Sequence, residues 1–269
     1  MAVDLNVIGS INLDLVARVS KLPRPGETLS ARSYTRIPGG KGANQAVAAA
    51  RLGANVTMAG AVGDDAFADE ALAGLEDARV ELRLERGGDT GIALILVDDE
   101  GENEIVVVPG ANARVDATLP GAVLCQQEIP TETVARAAQD ADVFFLNAAP
   151  ARTVDAETIR RARVVIVNRL ELDALGATPH LTALTLGAEG AALLEDGREV
   201  ARAAPPRVDA VDGTAAGDAF TASLVVSHLE GREWEEALQR ACAAGALAAS
   251  RPGAQPSLPT AEEVDAILA

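Results

Sequence analysis

Hydrophobic and polar positions alternate along this chain in two different rhythms, and the way they interleave predicts an α/β fold. Apolar runs at 3–8, 56–62, 143–146 and 164–167 read as strands, the first of them buried. Stretches with helical character recur between them, at 42–52, 67–75, 131–139 and 153–161. A further strand is marked at 123–124, and two more at 183–186 and 190–194. Residues 219–229 and the alanine-rich run 234–250 read as helices. Strands that alternate with helices in this way predict a mostly parallel sheet covered by helices.

Two regions break the rhythm. Residues 11–37 hold short alternating pieces interrupted by Pro23, Pro25 and Gly26, which suits a small peripheral sheet better than a helix. Residues 91–109 hold two alternating runs joined by the polar stretch 98–103, a hairpin pattern. The expectation is one α/β domain over residues 1–269, with 11–37 and 91–109 forming a small β lid that excludes water from the site. No internal repeat, low-complexity segment or interdomain linker breaks the chain.

Composition narrows the function. With 269 residues, 48% hydrophobic and 23% charged, the chain can build a full core. Its net charge of −17 argues against a nucleic-acid partner, because phosphate contacts need clustered Lys and Arg. A small phosphorylated substrate needs only one local positive site. Cys125 and Cys242 lie far apart without metal spacing, which suits a reducing, cytoplasmic compartment. His180 and His228 neighbour neither glycine-rich motif. No stretch reaches the ~20 apolar residues of a membrane span, and no secretory leader is evident.

Two motifs carry the candidate chemistry. Val211-Asp212-Gly213-Thr214-Ala215-Ala216-Gly217-Asp218-Ala219-Phe220 places a carboxylate after a run of small residues, immediately before the 219–229 helix. Small residues let backbone N–H groups turn toward one point, and a helix N-terminus adds partial positive charge there. Such a site can hold a transferring phosphoryl group while Asp218 takes a proton from the attacking hydroxyl. Asp218 can equally serve as a helix cap. Upstream, Pro38-Gly39-Gly40-Lys41-Gly42-Ala43-Asn44-Gln45-Ala46 allows close approach of backbone to a ligand, and Lys41 and Asn44 offer donors to neutral hydroxyls. The order matches neither the P-loop nor the dinucleotide-binding glycine fingerprint.

With both motifs in order, the chain resembles the ribokinase-like (PfkB) family of carbohydrate kinases from end to end. Gly9-Ser10-Ile11-Asn12-Leu13-Asp14 opens the likeness and Arg251-Pro252-Gly253-Ala254-Gln255-Pro256-Ser257 closes it. The resemblance implies a three-layer α/β/α sandwich with a small β-sheet lid. It also implies ATP-dependent phosphorylation of D-ribose at its primary hydroxyl, giving D-ribose 5-phosphate. Another pentose, a ketohexose or a nucleoside remains open as acceptor, as does a non-catalytic sugar-binding role.

Residue roles follow from the same resemblance. Asp218 is the expected base, and the N–H groups of Ala215, Ala216 and Gly217 the expected anion hole. Asn12, Asp14, Gly40, Lys41, Asn44 and Glu128 are expected at the sugar. Without the likeness, Asn12 and Asp14 read as a polar turn, and Glu128 as a helix-start carboxylate. Asn168, Thr185 and Gly187 are implied at the nucleotide, with Glu171 reaching Mg²⁺ through water. Asn168 and Glu171 also fit a capping box. Asp212, Gly253 and Ser257 are implied in a monovalent-cation (K⁺) loop, and a homodimer through the lid sheets is expected. The chain departs from the family pattern in a short 172–184 segment, in Gly213 where Thr is usual, and in Ala222-Ser223 for a usual Gly-Ala pair.

Overall fold

A computed structural model describes residues 2–269. Its larger sheet has nine strands, in the order β13-β12-β11-β10-β9-β8-β1-β4-β5. Here β1 is Asp4–Ile8, β4 Asn55–Val62 and β5 Glu81–Arg86. Further along the chain come β8 (Ala122–Gln126), β9 (Val143–Asn147), β10 (Ala162–Val167) and β11 (Leu181–Thr185). At one end β12 (Ala191–Glu195) pairs antiparallel with both β11 and the edge strand β13 (Arg198–Ala203), and all other neighbours are parallel. The strands β1, β8, β9 and β10 are apolar on both faces because helices cover both.

One face carries α1 (Lys41–Arg51), α2 (Ala66–Asp77), α6 (Ala216–Leu229) and α7 (Trp234–Ala249), packed through Ala46, Leu72, Leu224 and Leu238. The other carries α3 (Thr131–Asp140) and α4 (Ala156–Arg161), packed through Val134 and Ile159. A six-residue helix, α5 (Arg169–Ala174), crosses from β10 to β11, and α8 (Ala261–Leu268) closes the chain. The far end of α6 is marked by aromatic packing: His228 stacks on Trp234 at 4.0 Å between ring centres, with the Arg163 guanidinium 5.7 Å from the indole.

The second sheet, in the order β3-β2-β6-β7, is built from β2 (Asn12–Arg18), β3 (Ser33–Gly39), β6 (Gly91–Val97) and β7 (Asn103–Val108). It leaves the main sheet directly after β1. Its polar register at the junction pairs Asn12 with Gly39 and Gly91. Edge strand β7 is exposed along its whole length, including Ile105, Val106, Val107 and Val108.

Several elements differ from the sequence reading. The 11–37 region forms two seven-residue strands instead of short pieces, because pairing with β6 supplies partners that local pattern does not reveal. Strands β5 and β13 carry the charged sequences Glu81-Leu82-Arg83-Leu84-Glu85-Arg86 and Arg198-Glu199-Val200-Ala201-Arg202-Ala203 at the two sheet edges, where charge is tolerated. Neither was expected, nor was α8. The 153–161 helix begins only at Ala156, behind an Asp155 cap that accepts from Thr158 N–H. The strand β11 begins within the short 172–184 segment, and the crossover helix before it has six residues, under two turns.

Candidate active site

The strand order reverses between β1 and β8, both parallel neighbours, and the crevice beyond their carboxyl ends is where an open α/β sheet binds ligand. The candidate residues arrive there from four sources: the start of β2, the N-terminus of α1, the segments that follow β8 to β10, and the N-terminus of α6. A cavity of about 210 Å³ opens between them, lined among others by Lys41, Asn147, Asn168, Glu171, Gly217 and Asp218.

Glycine makes the α1 side possible. Gly40 has φ +87, and a Cβ there would stand 2.8 Å from Asn12 N, while one on Gly39 would strike the Asp14 carboxylate at 2.3 Å. The two glycines therefore let the α1 N-terminus lie directly against the strand that carries Asn12 and Asp14. Glu128 locks this junction: its Oε2 accepts from Ser10 Oγ at 2.5 Å and from Lys41 N–H at 3.0 Å. It lies outside α3, so the helix-start reading does not hold. Asn12 and Asp14 are buried strand residues of β2, which removes the polar-turn reading. Asn112 accepts from Ile11 N–H and donates to Ile11 carbonyl and Asn12 Oδ1, fixing the Asn12 amide.

Asp218 sits in the first turn of α6. The N-cap is Ala215, whose backbone is left-handed at φ 61, and no side chain caps this helix, so the capping role for Asp218 falls away. Its Oδ2 accepts from Asn44 Nδ2 at 3.0 Å and its Oδ1 from Gln45 Nε2 at 2.8 Å. Burial pushes the Asp218 carboxyl above its ordinary range, against the pull of Lys41 and the two amides. Burial, with Glu128 and Asp218 nearby, pushes Asp14 up to about 7. Burial alone would depress Lys41, but Asp218, Glu128, Glu171 and Asp14 outweigh it and hold the ammonium protonated. The Asn44 Oδ1 is buried without a partner among the described residues, an acceptor left over for a ligand hydroxyl.

Along the backbone expected to form an anion hole, a Cβ on Gly217 would meet no atom beyond its own helix within 4 Å. Packing does not require glycine there, whereas a ligand drawing close to backbone would. Ala215 also lines the cavity; the Ala216 N–H is engaged by the Gly213 carbonyl at 3.2 Å. Of the residues expected at the nucleotide, Asn168 and Glu171 form the capping box in full, with bonds of 2.8 and 2.9 Å, and both line the cavity together with Thr185. Burial raises the Glu171 carboxyl. Gly187, Asp212, Gly253 and Ser257 lie outside the cavity lining, as do Ala216 and, of the residues expected at the sugar, Asn12, Asp14, Gly40, Asn44 and Glu128; only Lys41 of that set lines it. Asp212 and Gly253 are nonetheless brought together, Asp212 Oδ2 accepting from Gly253 N–H at 2.9 Å.

Three functional candidates were absent from the sequence reading: Gln45, Gln126 and Asn147, all buried around Asp218. A signal for two of them was present, since Gln126 and Asn147 are polar residues closing apolar parallel strands.

Comparison with known proteins agrees with this geometry. The pfkB family carbohydrate kinase profile matches residues 3–261. The chain belongs to the pfkB family of carbohydrate kinases. A ribokinase of Bacillus subtilis is 38% identical to this kinase, over 97% of its length and 98% of the relative's. A deoxyribokinase of Salmonella typhi is 32% identical, over 98% of each. The structure of Arabidopsis thaliana ribokinase complexed with ribose and ATP superposes with a TM-score of 0.88 at 29% identity, covering 100% of this chain and 99% of that one. The fold is that of the ribokinases, and the kinase is an ATP-dependent sugar kinase. Among the described residues no helix is long and apolar enough to cross a membrane.

Proposed function

We propose that this kinase transfers the γ-phosphoryl group of ATP to the primary hydroxyl of D-ribose, giving D-ribose 5-phosphate. The observation that carries the reading is the buried Asp218 carboxylate, held by two amides at the edge of a cavity whose acceptors and donors suit a polyhydroxyl ligand. Asp14, Asn12, Asn44 and Glu128 hold the sugar, and Lys41 supplies positive charge. Asp218 accepts the hydroxyl proton as the oxygen attacks in line. The N–H groups of Ala215 and Gly217, at the α6 N-terminus, support the phosphoryl oxygens, and that of Ala216 joins them on leaving the Gly213 carbonyl. Positioning and charge supply most of the rate in such transfers.

Charge balance supports divalent-metal use. Four carboxylates surround the single Lys41 ammonium, so anionic ATP needs further cations to enter. Among the described residues no group of three or more His, Cys, Asp or Glu side chains is arranged as a metal cage, which suits Mg²⁺ carried mainly by phosphates and water. Glu171 fits the role of ordering its water shell, and the metal would neutralise charge on the phosphates. Hydrogen bonds from Thr214 and Gly253 outweigh burial and hold Asp212 below the usual carboxylate range. The ionised Asp212 and the 253–257 turn offer the oxygen donors that suit K⁺. The second sheet is read as the lid of a single kinase domain. Its exposed apolar β7 suits pairing with a second copy, and a monomer by light scattering would remove that reading.

The test is ADP formation from Mg-ATP with D-ribose, with and without K⁺, in wild type and Asp218→Asn. Ribose-dependent turnover that collapses in the variant supports the assignment. Turnover with 2-deoxyribose, another sugar or a nucleoside, but not ribose, keeps the chemistry and replaces the substrate. Silence with every acceptor would leave a sugar-binding protein.

A further inference from the structure

Gln45 is fully buried one residue beyond Asn44 on α1, and nothing assigned so far uses it. Its Nε2 donates to Asp218 Oδ1 at 2.8 Å and to Asn147 Oδ1 at 2.9 Å, so both amide protons are committed. Its Oε1 accepts from Gln126 Nε2 at 2.7 Å. Asn147 Nδ2 in turn donates to the Ile166 carbonyl at 3.2 Å.

The direction of this chain is fixed by groups that cannot turn around. A backbone carbonyl only accepts, so Asn147 must present its Nδ2 to Ile166 and its Oδ1 to Gln45. Gln45 must then present its NH₂ to that oxygen, and the second proton of the same NH₂ points at the Asp218 carboxylate. Reversing Gln45 would set its carbonyl oxygen against two acceptors. The polarity of the Ile166 carbonyl, set by the β10 backbone, thus reaches Asp218 through two amides. Asn44 holds the other carboxylate oxygen from the preceding residue of the same helix.

We propose that Gln45 is a positioning residue for phosphoryl transfer: it clamps Oδ1 of Asp218 in one orientation and in its proton-accepting form, with Asn147 setting the direction of the clamp and Gln126 holding its carbonyl oxygen. The inference rests on Asp218 being the base. It adds that adjacent residues of α1, Asn44 and Gln45, hold the two oxygens of that base, so the helix that begins at the sugar loop also aims the group that activates the sugar.

The experiment uses the full chain with Mg-ATP and D-ribose, comparing wild type, Gln45→Met, Gln45→Glu, Asp218→Asn and the Gln45→Met/Asp218→Asn pair. Gln45→Met should lower kcat about 10- to 150-fold, the range for losing a hydrogen bond to a charged group. Both KM values should stay within about threefold, and the acidic limb of the pH–rate profile should rise by about one pH unit as the carboxylate loses a donor. Added to Asp218→Asn, the same change should cost little more, because its route of action is already gone. Gln45→Glu keeps size and shape, and sets a second carboxyl against Asp218, so its acidic limb should also move up.

If Gln45 merely fills the core, losses would fall on thermal stability and on both KM values, and the limb would stay where it is. That result, or an unchanged kcat in Gln45→Met beside a collapsed Asp218→Asn, overturns the clamp and leaves the base in place. Near-wild-type activity in Asp218→Asn instead removes the base reading itself. Should Gln45→Met fail to fold, the limb position in Gln45→Glu decides alone.

Discussion

The two halves of the candidate site are built differently. In the half proposed for the sugar Asn12, Asp14, Asn44 and Asp218 are buried, and fixed amides hold Asp218 and Asn12. In the half proposed for the nucleotide α5 buries no residue, Leu170 is 76% exposed, and the contacts are local caps within one short helix. A sugar is small and neutral, so its affinity and orientation depend on groups that need no rearrangement when it binds. ATP brings its own charges and its own metal, so a shallower, more exposed surface can serve it. The contrast predicts that substitutions on the sugar side change chemistry and acceptor choice, while those on the nucleotide side change apparent ATP and Mg²⁺ affinity.

The sharpest break would come from Asp218→Asn, which should lower kcat by about 10²- to 10⁴-fold, the usual contribution of a general base. Steady-state rates with saturating ribose check this, and activity within about threefold of wild type would contradict the role. Glu128→Gln keeps the shape of the Ser10–Lys41 junction while removing its charge. A fall of about tenfold in kcat/KM for ribose, with KM for ATP unchanged, is expected; an effect on ATP alone would invert the comparison.

Asp14 connects the comparison to pH. With its carboxyl pushed up to about 7, kcat/KM for ribose should decline below neutral pH as the acceptor form is lost, and a flat profile from pH 6 to 8 would count against its sugar role. Stability runs the other way. The folded chain keeps the Asp14 proton up to about 7, whereas an unfolded aspartate loses it near 3.8. This group's contribution is therefore most favourable at low pH and declines as pH rises through 7. Asp14→Asn should raise the melting temperature at pH 8 by a few degrees, on the order of 1–2 kcal/mol, while weakening ribose use. Calorimetry on the two proteins would detect it.

Effects on the nucleotide side should be smaller. Glu171→Gln is expected to raise the Mg²⁺ requirement by about three- to tenfold with KM for ribose unmoved, as an indirect, water-mediated contact implies. Smallest of all, Leu170→Ser should alter stability by no more than about 0.5 kcal/mol, as for most exposed positions. A large loss of ATP affinity there would make Leu170 a base contact and the nucleotide side more specific than described.

The same contrast governs what was readable in the sequence. Gly39, Gly40, Lys41 and Asn44 lie in one contiguous motif, and Asp218 in another, so local order alone pointed to them. The inner parallel strands were equally visible because burial on both faces leaves a largely apolar run. Gln45 lies inside the first motif yet passed unnoticed, since its partners Asn147 and Asp218 are 102 and 173 residues away. Asn112, which fixes the Asn12 amide from 100 residues away, was hidden in the same manner. Strands β5 and β13 were missed because edge position, which excuses their charges, is a property of the assembled sheet. The capping box at Asn168 and Glu171 is a case where local pattern predicted the local structure, while its proximity to the cavity came only from the crossover between β10 and β11.

The stack of His228 on Trp234 has an optical consequence. Trp234 is the only tryptophan in the chain, so fluorescence excited at long wavelength reports a single site, at the opposite end of α6 from Asp218, separated by about 15 Å of helix. Imidazole protonation quenches a stacked indole more strongly than the neutral ring does, and burial together with Arg163 holds His228 below its ordinary pKa. The emission should therefore stay bright through neutral pH and dim only on acidification. One helix carries the proposed base at its first turn and a native fluorophore packed on its last, so a shift of α6 during turnover can be followed in unlabelled protein.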